Sequence, residues 1–416
     1  MNRALRYIRR IKVACSMLCI LMLLSACSNA TNGLTMNWRP DLELILEQFP
    51  EKEIGLSSDS QRAEHFEKQV SSILSNLNSY GSDDEVKMEL FKAIASIHQL
   101  HTHIDLDDRE QVLPFHFFYQ EGNMYVNGVH PQYKDVMYGK LIKVQDTSIE
   151  DVMKALEQVI AYDNVYGLQH NLPLYLLYPS VLHGLGIIDN KDEIKLTFQK
   201  KDSTIIEYAV TPVEQPNYLP QMLARRTFSF NQTNLNLNYD VQYLPSDRAL
   251  YLPYRMCAED KSYPIAAFEQ NVLKTLHSNK VEKLIIDLRN NPGGASWVLD
   301  PLIDKLEEVP ALTGKVFVLI NQGTASSALL NAYTMKQKLQ ATLVGSPTQS
   351  SPNKPGEVKI FKLPESGLNI SYSTKEFHLV EEETDSLYPD IRVDLTITDY
   401  EEDVDRVVQT VLSLNQ

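Results

Sequence analysis

Residues 284–329 constrain the fold more than any other part of the chain. They hold two short apolar runs, Leu284-Ile285-Ile286 and Val316-Phe317-Val318-Leu319-Ile320. Turn residues follow each run: Asp287-Leu288-Arg289-Asn290-Asn291-Pro292-Gly293-Gly294 after the first, Gly323-Thr324-Ala325-Ser326-Ser327 after the second. A helix-length stretch separates the two, which is the spacing of parallel strands in a βαβ unit. That order places both loops at the carboxyl ends of their strands, where open α/β sheets build their sites.

The two loops carry complementary chemistry. Ser326 falls between a buried strand and a predicted helix at Ala328-Leu329-Leu330-Asn331-Ala332-Tyr333, so its hydroxyl can point away from the sheet. The free N–H groups and dipole of that helix would stabilise a developing anion beside it. The Ser327 amide is the natural oxyanion donor, and Gly293 and Gly294 let the backbone approach a substrate carbonyl closely. Thr324-Ala325-Ser326-Ser327 also suits a plain helix N-cap. No G-x-S-x-G elbow is present, so nothing supports an α/β-hydrolase.

A serine nucleophile needs a base, and the histidine-rich segment Ile97-His98-Gln99-Leu100-His101-Thr102-His103-Ile104 offers one. It follows an amphipathic stretch that reads as helix. Three surface histidines near a helix end, or a zinc site built from His98, His101 and His103, are the competing readings. The chain has no H-E-x-x-H pattern and no cysteine pair to close a zinc site, so no metal is expected.

Five short elements in order carry a resemblance: His101-Thr102, Asp287 to Gly294, Thr324 to Ala328, Gly345-Ser346-Pro347-Thr348 and Pro389-Asp390-Ile391-Arg392-Val393. Together the pattern resembles the C-terminal-processing and tricorn-type serine peptidases, a family that includes the interphotoreceptor retinoid-binding repeats. The resemblance implies a crotonase/Clp-protease-like α/β core, peptide or protein substrates and no cofactor. It makes Ser326 the nucleophile and His101 the base, with an oxyanion hole from Gly293 or Gly294 and the Ser327 amide. One branch of the family uses a lysine after a Gly-x-x-Thr-x-Gly turn. Here that place holds Ser351, with Lys354 three residues on. The His-dependent branch orients its base with a glutamate shortly before Pro-Asp, which corresponds to Glu383 in Glu381-Glu382-Glu383. Relatives have Asp-Gly before His-Thr where this chain has Gln99-Leu100, and a left-handed turn there would strain Leu100. A non-catalytic peptide- or ligand-binding lipoprotein of the same fold is the alternative.

The amino terminus reads as a bacterial lipoprotein signal. Arg3, Arg6, Arg9, Arg10 and Lys12 precede a short apolar stretch too short to span a membrane comfortably. Leu24-Ser25-Ala26-Cys27 then predicts cleavage before Cys27, lipidation of its thiol and an extracytoplasmic, membrane-anchored domain. Such processing leaves Cys257 as the one remaining cysteine, expected to serve packing, and allows no internal disulfide. The chain has 39 basic and 54 acidic residues; less the five basic residues of the leader, the net charge moves from −15 to −20. That balance argues against a nucleic-acid partner.

The expected organisation is a signal peptide (1–26), a lipidated cysteine and tether (27–37), an N-terminal helical cap (38–110), an insertion that holds substrate (111–240) and the catalytic α/β core (241–416). Within the insertion, Phe115 to Tyr119 and Met124 to Val129 predict a hairpin. Gly139-Lys140-Leu141-Ile142-Lys143-Val144, followed by a helix over 149–162, resembles the edge of a PDZ-like module. A single helix over 401–414 is expected to close the chain.

Overall fold

The structure is a computed structural model and describes residues 33–215, 223–224, 228–381 and 383–414. The predicted signal, with Cys27, lies outside the described residues. Among the described residues no helix is long and apolar enough to cross a membrane.

The two apolar runs form the centre of a six-stranded sheet in the order Gln242–Leu244, Ala249–Pro253, Lys283–Asp287, Val316–Ile320, Thr342–Gly345, Ile391–Arg392. The first pair is antiparallel and the rest are parallel. Side chains alternate between two cores, as the period-2 geometry of a strand requires. Leu250, Leu252, Leu284, Ile286, Val318 and Leu343 face the helices Ile265–Ser278, Asp300–Glu307 and Ser327–Leu339. Tyr251, Ile285, Phe317, Leu319 and Val344 face Val407, Val408 and Val411 of the helix Arg406–Ser413. Both faces are covered, which is why the strands read as unbroken apolar runs.

The closing helix is two helices, Ile397–Glu402 and Arg406–Ser413. Asp403 adopts a left-handed conformation (φ 60°) and Asp405 caps the second helix by accepting from the Val408 amide at 3.1 Å. Asp is among the few side chains that serve both roles.

The middle of the chain forms a seven-stranded antiparallel sheet whose first hairpin pairs Phe115–Gln120 with Asn123–Val129, as expected. Its helix from Ile149 ends at Glu157, short of the predicted 162, because Val159 and Ile160 turn into the core. Asn164 then caps a new helix, Val165–Tyr175, by accepting from the Gly167 amide. The N-terminal helices Arg39–Lys52, Ser60–Ser75 and Asp83–Ala95 pack into the same apolar core as this sheet.

A third sheet joins distant parts of the chain. His103–Ile104 pairs with Asn369–Lys375, which pairs with Gly356–Lys362, all antiparallel. It carries the histidine turn.

Candidate active site

The Ser326 loop is pinned by backbone and threonine bonds. Buried Thr324 donates its hydroxyl to the Leu288 carbonyl (2.9 Å) and accepts from the Asn321 amide (3.0 Å). The Ala325 amide donates to the Asn291 carbonyl at 3.0 Å, tying this loop to the glycine loop. Ser326 follows at φ 49° and ψ −124°, a conformation that L-residues seldom adopt and that costs about 1–3 kcal/mol. It stands at the N-cap of the helix Ser327–Leu339, yet its side chain makes no capping bond. The hydroxyl of this half-buried serine is therefore not spent on the helix. Replacing Ser326 with glycine relieves the strain, whereas alanine keeps it. Ser326→Gly is expected to be more stable than Ser326→Ala by about 1 kcal/mol in urea titration.

The glycine loop sits directly against Ser326. Gly293 has φ 104°, and a Cβ there would lie 2.7 Å from Ser326 Cβ and 2.9 Å from the Ser327 amide nitrogen. Gly294, at φ 131°, has its backbone against the Cys257 carbonyl, which leaves no room for a Cβ. Cys257 holds the loop as a short parallel bridge: its amide donates to the Gly293 carbonyl (3.0 Å) and its carbonyl accepts from the Ala295 amide (2.7 Å). Ser327 Oγ donates to the Gly294 carbonyl at 2.6 Å.

Of the predicted oxyanion donors, Gly293 is already engaged, its amide donating to Asn291 Oδ1 at 2.9 Å. The amides of Gly294 and Ser327 have no acceptor among the described residues. Asn291 is fully buried and also donates from Nδ2 to the Tyr254 carbonyl at 2.7 Å. Cys257, expected only to pack, thus acts through its backbone. Its thiol is pushed up to about 12 by burial, an unreactive state.

His101 lies in the turn between the helix Asp83–Ala95 and the strand His103–Ile104. The left-handed residue of this turn is exposed His98 (φ 55°), so Leu100 escapes the strain expected for it. Thr102 anchors the turn by donating to Glu53 Oε1 at 3.0 Å and accepting from the Ser373 amide at 3.4 Å. The Leu100 amide donates to Asp163 Oδ1 at 2.9 Å. His101 Nδ1 is buried without a hydrogen-bond partner. Burial holds the ring below the usual imidazole range, opposed by the Asp163 carboxylate and the Pro355 carbonyl and reinforced by His103. The ring is therefore neutral at pH 7, the state a general base requires.

No hydrogen bond joins Ser326 to His101 among the described residues. The helix Val165–Tyr175 links their surroundings. Asp163, just before it, holds the histidine turn, and His170 Cε1 lies 3.0 Å from where a Cβ on Gly323 would stand. His170 stands five helical positions past Val165, or about 7–8 Å of rise along the helix. His170 is a second histidine beside the nucleophile loop that the sequence reading missed. Its side chain is exposed, and neighbouring protein holds it below the usual imidazole range. Glu383 is exposed and has neither a hydrogen bond nor an ion pair among the described residues. Lys354 is half-buried, next to Pro355, and likewise has no ion pair among them.

A cavity of about 270 Å³ opens along the carboxyl edge of the parallel sheet, lined by Gln169, Arg289, Asn321, Ser346, Arg392 and Tyr400 among others. A reciprocal Asn290–Asn321 pair, at 2.9 and 3.0 Å, ties the glycine loop to the Ser326 loop at its wall. At its wall, largely buried Arg289 is bidentate to Asp287 (2.9 and 2.6 Å) and pairs with Asp405 (3.0 and 2.7 Å), while Tyr251 donates to Asp287 at 2.7 Å. Ser326 itself is not part of the cavity wall.

No known family profile and no curated protein matches the chain by sequence. Solved structures do match. Mature CPAF complexed with lactacystin has a TM-score of 0.61 at 15% identity, covering 89% of this chain and 98% of that one. A mutant of CPAF gives 0.63 at 13% identity, covering 90% and 98%. The photosystem II D1 C-terminal processing protease matches more loosely, at 0.42 and 12% identity over 85% and 93%. The chain therefore has the mixed α/β fold of CPAF.

Proposed function

We propose that this chain is a serine peptidase of the C-terminal-processing, tail-specific group, with Ser326 as nucleophile and His101 as general base. One observation carries the reading: a strained serine whose hydroxyl makes no capping bond lies against the Gly293 backbone, and the neighbouring Gly294 and Ser327 amides have no acceptor among the described residues. In this mechanism neutral His101 takes the Ser326 proton as Oγ attacks the peptide carbonyl. The two amides hold the oxyanion, and the imidazolium returns its proton to the leaving amine. Water then repeats the sequence on the acyl-enzyme. The base and nucleophile come into hydrogen-bond range when substrate is held, as apo catalytic geometry is commonly loose. The six-stranded sheet would be a crotonase-like core, and the insertion, a PDZ-like substrate holder. Lipidated Cys27 would place the domain outside the cytoplasm on a bacterial membrane. No step uses a metal or cofactor.

A binding protein of the same fold is the second reading, favoured by the absence of a Ser326–His101 bond among the described residues. Incubation of full-length protein with a diverse peptide mixture, followed by mass spectrometry of the products, separates the two. The wild type is expected to cleave and Ser326→Ala not to. His101→Ala should lose about 10²–10⁴-fold, with His170→Ala and Lys354→Ala retaining most activity. Peptide retention without cleavage, equal in wild type and Ser326→Ala, would establish the binding protein. Loss confined to His170→Ala or Lys354→Ala would reassign the base.

A further inference from the structure

We propose that Asp163, from the insertion, is the carboxylate that positions His101 and stabilises its imidazolium, in the place that sequence assigned to Glu383. The inference rests on the Ser326–His101 reading above. Each Asp163 oxygen is fixed by a different part of the fold. Oδ1 accepts from the Leu100 amide, one residue before His101, at 2.9 Å, and Oδ2 accepts from Ser350 Oγ at 2.5 Å. The following residue locks the backbone. Asn164 Nδ2 donates to the carbonyls of Thr348 (3.0 Å) and Asp385 (2.6 Å), while its Oδ1 caps the helix Val165–Tyr175. Asp163 is thus held at the junction of the histidine turn, the loop after Thr342–Gly345 and the insertion.

The charges acting on His101 are few. They are Asp163, His103 and the dipole of the Pro355 carbonyl. His103 is itself tied to the Leu100 carbonyl through Nδ1 (3.0 Å) and lies 3.4 Å from Asp105. When the Ser326 proton moves to His101, a positive charge arises in a largely dry place, around a ring nitrogen that lacks a partner. An anchored carboxylate nearby lowers the cost of that charge, and one free in solvent does so far less. Glu383 is exposed and unanchored. Asp163 therefore sets both the orientation of the turn and the basicity of its histidine.

Asp163→Asn tests this, because the amide preserves an acceptor for Leu100 and a partner for Ser350 while removing the charge. Two readouts are needed in full-length protein: the pH profile of fluorophosphonate labelling at Ser326, and the His101 titration followed by NMR of ring-labelled histidine in a Ser326→Ala background. Removing a negative neighbour disfavours imidazolium. The His101 titration and the rising limb of the labelling profile should therefore both move about one pH unit lower. The plateau labelling rate should fall at least tenfold, and Glu383→Gln should change neither. An unmoved His101 titration in folded Asp163→Asn protein, or a shift produced by Glu383→Gln instead, overturns the proposal. Absence of labelling in the wild type would count against the catalytic reading, while the NMR titration would still decide the role of Asp163.

Discussion

Gly293→Ala is expected to abolish labelling of Ser326 in a protein that otherwise stays folded. The added Cβ would lie 2.7 Å from Ser326 Cβ, 2.9 Å from the Ser327 nitrogen and 3.0 Å from the Ala325 carbonyl. Two of these atoms are backbone and the third is the Cβ of Ser326, so none can swing aside. The φ of 104° adds a penalty of its own, because alanine is strained there whatever the space. Either the glycine loop or the nucleophile loop must move by tenths of an ångström to an ångström. Misplacement on that scale costs about 10²-fold in rate even before donors are lost. Losing an oxyanion donor costs about a further 10²–10³-fold. The expected stability loss is about 2–3 kcal/mol, read by urea titration. Gly122→Ala is the control: it also has positive φ (76°), but open space surrounds it. That variant should lose about 1 kcal/mol and label normally.

Arg289→Met is expected to cost about 3–5 kcal/mol, since it leaves the Asp287 and Asp405 carboxylates buried without their shared cation. The sign of its pH dependence is the more specific signature. In the wild type, burial pushes the Asp287 carboxyl up, but Arg289 and Tyr251 overcome this and hold it below the usual carboxylate range. A carboxyl depressed by folding contributes stability above the ordinary carboxylate range and loses it as pH falls toward the lowered value. The wild type should therefore lose Tm only in acid, below about pH 4. Without Arg289, burial and the facing carboxylate favour protonation in the fold. The variant should then gain Tm relative to the wild type as pH falls from 7 to 5. Parallel Tm profiles for the two proteins would count against an energetic role for the triad. Asp405 also caps the helix Arg406–Ser413, so that helix is the first element the variant should loosen.

The parts of the fold legible in sequence are those written in local patterns. Lys283–Asp287 and Val316–Ile320 are buried on both faces and read as apolar runs. The hairpin at Glu121-Gly122-Asn123 is announced by its turn residues. The positions of the loops that carry Ser326 and the two glycines are legible because strand-loop-helix order fixes where a loop falls. The rest depends on bonds between distant segments. Gly356–Lys362 exposes Val358 and Ile360, and its pairing through Asn369–Lys375 to His103–Ile104 leaves no local trace. Asp163 meets Leu100 across 63 positions. Cys257 contributes backbone groups, which any residue carries. Asn291 withdraws the Gly293 amide by a side-chain bond that spacing does not reveal. Glu383 is exposed, and its place before Pro389-Asp390 does not reveal what its carboxylate reaches.

The proposed function requires Ser326 to be a nucleophile activated by His101. The most direct measurement treats full-length protein with a fluorophosphonate and maps the adduct by peptide mass spectrometry, with His101→Ala beside it. The account predicts a single adduct on Ser326, slowed about 10²-fold or more when His101 is removed. A folded wild-type protein that acquires no adduct, or one labelled equally fast without His101, would contradict it.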